Sequence, residues 1–174
     1  MKIPDSNKIT QIEVHQKIQS SKETVWNVIS SAENLNLFHP FCKENKVILW
    51  DNENSKDSIE YYNGNTLVRF FTHWFEGEGY NLIIGKKNTA FAKVFWNITS
   101  TNQENCIISI RIDLFSDLIL SKYPSIFNGV ISSLYLGPTM KKYLKSVVSG
   151  LKFYVEQNKV VQKNQFGTNR LFST

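Results

Sequence analysis

The sequence has no run of apolar residues that approaches the roughly 18 needed for a membrane-spanning helix. Residues 1–6 also lack the apolar core of a secretory signal peptide. Both absences argue against membrane insertion and against secretion. We therefore expect a cytoplasmic protein.

Cysteine is scarce, with only Cys42 and Cys106. In a cytoplasmic protein we expect both to be reduced, buried thiols rather than a structural disulfide. The three histidines, His15, His39 and His73, are scattered along the chain, and their spacing does not predict ligands that converge on zinc. We expect neither a bound metal nor another cofactor.

Recognisable catalytic motifs are also missing. The sequence contains no GxSxG, HExxH, phosphate-binding loop or dinucleotide fingerprint. We therefore predict no catalytic residue and favour binding over catalysis. An enzyme would need an acid or base inside a pocket, and a structure in which none of the candidates faces a cavity would exclude this alternative. The candidates are Glu60, Tyr61, Tyr62, Arg69 and His73.

What is present fits one globular domain. The 174 residues are 41% hydrophobic and 20% charged, with an aromatic content of 13%. Large rings either fill a core or line a pocket, and composition does not distinguish these uses.

The excess positive charge lies in the C-terminal part of the chain. Residues 137–174 hold 7 of the 20 Lys and Arg residues but only one of the 15 acidic residues. A basic helix of this kind allows transient contact with an anionic membrane, or is a solvated helix face. Exposed aromatics are not interleaved with the basic residues, so we expect no nucleic-acid partner.

The order of periodic segments predicts an α+β fold. Residues 11–18 alternate like a strand, and residues 20–23 form a capping-box pattern that opens a short helix. A second short helix is expected over 32–38. Six strands joined by turns follow, over 46–50, 58–62, 66–76, 80–84, 90–99 and 106–115.

The remaining segments are a closing helix and what flanks it. An apolar stripe at helical spacing predicts a helix from Pro138 to about residue 160, with Gly150 placed for close approach to the sheet. The apolar residues 118–136 form either a lid or an ordinary helix at the rim. Residues 1–160 are expected to form the single domain, and residues 161–174 a polar, frayed tail.

Five stretches add patterns of core residues to this order of elements: residues 23–29, 37–41, 94–99, 136–144 and 150–152. Together with the order of elements, they resemble the helix-grip superfamily of START domains, birch-pollen allergens and, closest, bacterial polyketide cyclase/dehydrase-like (SRPBCC) proteins. The resemblance covers roughly residues 9–158 and implies a seven-stranded curved antiparallel sheet, two short helices after the first strand and a long C-terminal helix over a cavity. The resemblance also implies that the protein holds a lipid, polyketide or isoprenoid-like molecule in this cavity. The alternative is a cyclase or dehydratase that uses the same cavity.

The periodicity of the strands and the closing helix predicts which residues line the cavity. Either face of the strand 66–76 could line the cavity, and the two are nearly equally suited. We prefer the face with Phe70 and Trp74 to the face with Arg69 and His73. His39 has either a structural role or a place at the cavity mouth, and Trp26 is expected in the core. The predicted cavity residues are Phe70, Trp74, Trp96, Ile110, Met140, Tyr143, Leu144 and Val147.

Overall fold

The computed structural model describes residues 9–116 and 132–173, together with Ile3. The strands among these residues are β1 (Ile9–Ile18), β2 (Cys42–Leu49), β3 (Lys56–Tyr61), β4 (Thr66–Phe75), β5 (Gly79–Lys86), β6 (Thr89–Asn102) and β7 (Asn105–Phe115). The α-helices are α1 (Lys22–Ile29), α2 (Leu35–Phe38) and α3 (Gly137–Gln157), with a 3-10 turn at Asn52–Asn54 and a π-helical turn at Ser132–Leu136.

The seven strands form one antiparallel sheet in the order β1-β7-β6-β5-β4-β3-β2. Successive side chains along β7 and most of β6 alternate between buried and more exposed, so that one face of the sheet belongs to the core and the other meets solvent. The long helix α3 packs on the inner face together with α1 and α2. The predicted helix-grip α+β fold is thereby confirmed.

Helix α1 begins one residue later than the capping-box pattern indicates. Ser21, not Ser20, is the N-cap, and its Oγ accepts a hydrogen bond of 3.1 Å from the backbone N–H of Thr24. Helix α2 is a single turn, much shorter than the predicted residues 32–38.

Helix α3 buries the predicted stripe, including Met140, Leu144 and Leu151. It ends at Gln157, because Asn158 adopts a left-handed conformation with φ of 50°. Gly150 does allow a close approach, but to α2 rather than to the sheet: a Cβ at this position would overlap the carbonyl oxygen of Phe38.

The prediction of a frayed tail after α3 is wrong for residues 161–173. The backbone N–H of Val161 donates to the carbonyl of Leu37, and Ser146 Oγ donates to the carbonyl of Phe166. The Phe172 ring lies 4.5 Å from both the Tyr61 and the Tyr143 rings. Sequence periodicity missed this segment because it is anchored by single residues and backbone groups, not by a repeating apolar face.

The predicted lid or rim helix over residues 118–136 lies mostly outside the described residues. Its described end is the π-helical turn that leads into α3, with Leu134 and Tyr135 exposed. Among the described residues, no helix is long and apolar enough to cross a membrane.

Candidate functional site

A cavity of about 670 Å³ lies between the inner face of the sheet and α3. Its wall is largely apolar, because β5, β6 and β7 contribute aliphatic side chains at alternate positions and α3 contributes its buried stripe. A volume of this size suits an organic molecule of moderate size, and it exceeds the small voids of an ordinary packed core.

Six of the eight predicted cavity residues line this space. Ala92 and Val94 lie beside Trp96 on β6, which leaves room next to the indole. The six are Trp96, Ile110, Met140, Tyr143, Leu144 and Val147. Whether they contact a ligand stays a prediction.

Phe70 and Trp74 do not line the cavity. Leu67 and Arg69, on the face of β4 opposite to Phe70, line it instead. Phe70 points to the outer face, where the ammonium group of Lys56 lies 5.3 Å from its ring centroid. The prediction that the face of β4 with Phe70 lines the cavity is therefore wrong. A charged residue such as Arg69 indicates a solvent-facing side, but its side chain is buried here.

A β-bulge explains the position of Trp74. The register between β4 and β5 shifts between Phe71 and His73, so that side chains beyond the bulge change faces. Trp74 consequently lies on the same side as Phe71, but past the end of the cavity, where it packs edge-on against Trp26 at 5.3 Å. Glu76 accepts hydrogen bonds from both indole N–H groups, at 2.9 Å from Trp26 and 3.0 Å from Trp74.

Three polar side chains from different elements meet on the cavity wall. His39 follows α2, Tyr61 ends β3, and Tyr143 is on α3. Nε2 of His39 lies 2.9 Å from the Tyr143 hydroxyl, which lies 3.1 Å from the Tyr61 hydroxyl. We call this set the His39–Tyr143–Tyr61 chain.

Burial keeps every member of this chain neutral. Burial, assisted by the positive charge of Arg69, lowers the pKa of His39 to about 3. Burial also raises the pKa of Tyr61 and, together with the neighbouring Tyr61, the pKa of Tyr143. At neutral pH the chain therefore offers hydrogen bonds and no charge.

The one buried ion pair near the cavity, within the described part of the chain, joins Arg69 to Asp57. These residues face each other across β3 and β4, and Arg69 Nε donates to Asp57 Oδ1 at 2.7 Å while Nη2 bonds to Oδ2. Asn34 Oδ1 accepts a further bond of 3.4 Å from Nη2. Because Asp57 balances the guanidinium charge, Arg69 presents no net charge to the cavity.

The cavity mouth lies at the sheet end that carries the β3–β4 and β5–β6 turns. Asn65 and Lys86 are exposed lining residues here, and Ile84 and Phe91 are half-buried. Leu171 and Phe172, in the segment after α3, also line the space.

Several of these residues escaped sequence reasoning. The sequence indicates Tyr61 only as an acid–base candidate, and it allows His39 either a structural role or a place at the cavity mouth. The polar composition of residues 161–174 predicts a tail that includes Leu171 and Phe172, although two adjacent apolar residues in a polar segment are a signal for anchoring.

The other candidates lie outside the cavity. His15 and His73 are exposed, Glu60 pairs with Lys43, and Tyr62 is half-buried next to Lys163. Within residues 9–116 and 132–173, no group of three or more His, Cys, Asp or Glu side chains is arranged to hold a metal ion.

No protein-family model matches the chain, and no curated protein matches it in sequence. Solved structures do match. A START superfamily protein from Mycobacterium smegmatis has a TM-score of 0.62 at 15% identity, over 86% of this chain and 99% of that protein. Norcoclaurine synthase from Thalictrum flavum, in complex with dopamine and hydroxybenzaldehyde, has a TM-score of 0.61 at 13% identity, over 88% and 90%.

A protein of the dynemicin biosynthetic locus also matches, with a TM-score of 0.62 at 11% identity, over 92% of this chain and 52% of that protein. At these identities the likeness concerns the fold. The chain has the START/SRPBCC-like helix-grip fold that its sequence resembles.

Proposed function

We propose that this protein is an intracellular binding or carrier protein for a hydrophobic small molecule, held between the sheet and α3. The observation that carries the proposal is the cavity of about 670 Å³ with a largely apolar wall. Burying the apolar surface of a ligand here gains roughly 25 cal/mol per Å² before the costs of association. Candidate ligands are lipids, polyketides and isoprenoid-like molecules.

The structural neighbours support an organic molecule as the ligand. The fold is shared with a synthase whose structure contains two small aromatic molecules, dopamine and hydroxybenzaldehyde. A second neighbour comes from a biosynthetic locus. Both are consistent with organic molecules as the ligand class for this fold.

The alternative is a cyclase- or dehydratase-like enzyme, and one observation favours it: Tyr61 and Arg69, two of the acid–base candidates, line the cavity. Their chemistry favours binding over catalysis. A general base works best with a pKa near the working pH, whereas the pKa of His39 is lowered to about 3 and that of Tyr61 is raised. Arg69 is committed to Asp57.

The proposal also includes transient contact with an anionic membrane. Lys141, Lys142 and Lys145 are exposed on α3, and Leu134 beside its N-terminus is 75% exposed. We expect co-sedimentation with phosphatidylserine vesicles at low salt that is weakened by changing the three lysines to glutamine. Sedimentation that does not depend on salt or on these lysines would contradict this part.

The binding proposal is tested by filling the cavity. Ala92 lies on the cavity wall, so Ala92→Trp places an indole in the ligand's space; Lys93→Trp, at the next position on the opposite face, is the matched control. Purified protein is analysed by native mass spectrometry for co-purifying ligand and titrated with a fluorescent apolar probe. We expect binding in the wild type and in Lys93→Trp, and loss in Ala92→Trp. A wild type that takes up no apolar molecule would overturn the proposal.

A further inference from the structure

The His39–Tyr143–Tyr61 chain has a direction, set by the backbone of Phe41. The Phe41 N–H donates to Nδ1 of His39 at 3.2 Å. A nitrogen that accepts a hydrogen bond carries no hydrogen, and neutral imidazole has one N–H in total. The hydrogen of His39 is therefore on Nε2, which donates to the Tyr143 hydroxyl.

Counting hydrogens shows that one remains. The chain holds three: Nε2–H of His39 and one on each tyrosine hydroxyl. Its two internal bonds, His39 to Tyr143 and Tyr143 to Tyr61, use two of them. Among the residues that the structure describes, no other group bonds to either hydroxyl. One hydroxyl hydrogen is left over, whichever tyrosine donates to the other.

The other histidine tautomer would leave none. If Nδ1 carried the hydrogen, Nε2 would accept from Tyr143, and Tyr61 would donate to Tyr143. The contact between Phe41 and His39 thus decides that the chain acts on the cavity as a donor.

The surroundings decide which acceptor suits this donor. Both tyrosines lie on an apolar wall, Arg69 is balanced by Asp57, and burial keeps His39 uncharged. Among the described residues, the cations that line the cavity are Arg69, which is paired with Asp57, and Lys86, which is exposed at the mouth. A carboxylate beside the two tyrosine hydroxyls would therefore lose its hydration without an unpaired cation next to it, which costs far more than one hydrogen bond returns. A carbonyl oxygen accepts one hydrogen bond at a small desolvation cost.

We infer that the Tyr61–Tyr143 hydroxyl pair is a hydrogen-bond donor site for the carbonyl oxygen of a neutral, otherwise apolar ligand such as a ketone. This inference rests on the proposed binding function and specifies its ligand chemistry. A hydrocarbon of the same shape leaves the hydroxyl hydrogen without an acceptor. Buried polar groups in folded proteins rarely lack a hydrogen-bond partner.

The test compares acetylnaphthalene with ethylnaphthalene, substituted at the same ring position, in the wild type and in the double variant Tyr61→Phe/Tyr143→Phe. The control is Tyr154→Phe, a half-buried tyrosine of α3 that is not on the cavity wall. The measured quantity is the ratio of ketone affinity to hydrocarbon affinity, which removes differences in apolar burial. We expect this ratio to fall by about fivefold to tenfold in the double variant only.

An unchanged ratio in the double variant would overturn the inference while both probes still bind, so the binding function would stand. Failure of both probes to bind the wild type would overturn the two together. If the double variant does not fold, the carbonyl stretch of isotope-labelled acetylnaphthalene bound to the wild type decides. A frequency below that in an alkane solvent supports the donor site, and an alkane-like frequency refutes it.

Discussion

The Tyr143 hydroxyl lies 2.9 Å from Nε2 of His39, a residue 104 positions earlier in the chain. The bond joins α3 to the residue that follows α2, and Tyr61 adds the end of β3. Three separate elements thus meet at one polar point on an otherwise apolar wall. A buried network with all members bonded specifies one arrangement of the elements that supply it.

The tautomer of His39 is the first prediction. Nitrogen NMR of protein labelled in its histidine rings should show Nδ1 of His39 unprotonated and Nε2 protonated at neutral pH, because Phe41 donates to Nδ1. The exposed His15 and His73 are internal references, and His39→Gln assigns the signal. A protonated Nδ1 would remove the basis for the donor site.

The second prediction concerns stability at acid pH. The folded protein holds the pKa of His39 at about 3, whereas in the unfolded chain the pKa has its ordinary value of 6.5. Below pH 6.5 the unfolded state therefore binds a proton that the folded state does not, so stability is lost as pH falls towards 3.

His39→Gln isolates this effect, since glutamine retains a donor for Tyr143 but does not titrate. The free energy of unfolding of the wild type, minus that of the variant, should be constant above pH 6.5. Below that it should fall by about 1.4 kcal/mol per pH unit. If this difference in the free energy of unfolding, measured by urea unfolding, does not change with pH, the pKa of His39 is not lowered in the folded protein.

The element order was predictable because it rests on periodicity, which survives along β1, β6, β7 and α3. Face selection failed on β4. A single bulge between Phe71 and His73 changes the parity of everything beyond it, and a buried ion pair makes Arg69 resemble a solvent-facing residue. Neither the bulge nor the partner of Arg69 has a local sequence signal.

The hydrogen-bonded contact of His39, Tyr143 and Tyr61 was not predictable from the sequence for a related reason. Tyr143 is predicted on the cavity wall from its place beside the apolar stripe of α3, but its contacts with His39 and Tyr61 form only in three dimensions. His39 and Tyr61 alone are each more typical of a structural residue. Phe172 shows the same limit, since its contacts with Tyr61 and Tyr143 depend on where the segment after α3 returns.

The third prediction is that Gly150→Ala destabilises the protein, whereas a glycine-to-alanine change inside a helix is usually stabilising. Alanine normally stabilises a helix interior by about 1 kcal/mol over glycine. Here the new Cβ would overlap the Phe38 carbonyl. We expect a loss of roughly 1–3 kcal/mol in the free energy of unfolding, and weaker probe binding because His39 adjoins Phe38. Ser149→Ala is the control, and stabilisation by Gly150→Ala would show that α2 and α3 do not approach so closely.

The fourth prediction tests the anchoring of the C-terminal segment. Phe172→Ala removes a ring that contacts Tyr61 and Tyr143, and should cost about 1–2 kcal/mol of stability. It should also weaken probe binding, since Phe172 lines the cavity. Phe166→Ala, in the same segment but packed on Phe153, should leave probe affinity unchanged. Equal affinities for the wild type and Phe172→Ala would mean that the segment is not part of the binding site.

The fifth prediction concerns the charge balance of Arg69. Asp57→Asn leaves a buried guanidinium without its counter-charge, which should cost about 3–5 kcal/mol, whereas changing both residues, Asp57→Leu with Arg69→Met, should recover much of the loss. Urea unfolding measures both effects.

The same variant bears on ligand choice. In the wild type, Asp57 neutralises Arg69 on the cavity wall, so a carboxylate ligand gains nothing from the guanidinium. In Asp57→Asn the ligand's carboxylate can replace the missing one. The affinity for naphthoate relative to ethylnaphthalene should therefore rise, and naphthoate should raise the midpoint of unfolding more than in the wild type. If naphthoate affinity does not change, Arg69 does not act on the ligand, and the preference for a neutral molecule must come from the apolar wall alone.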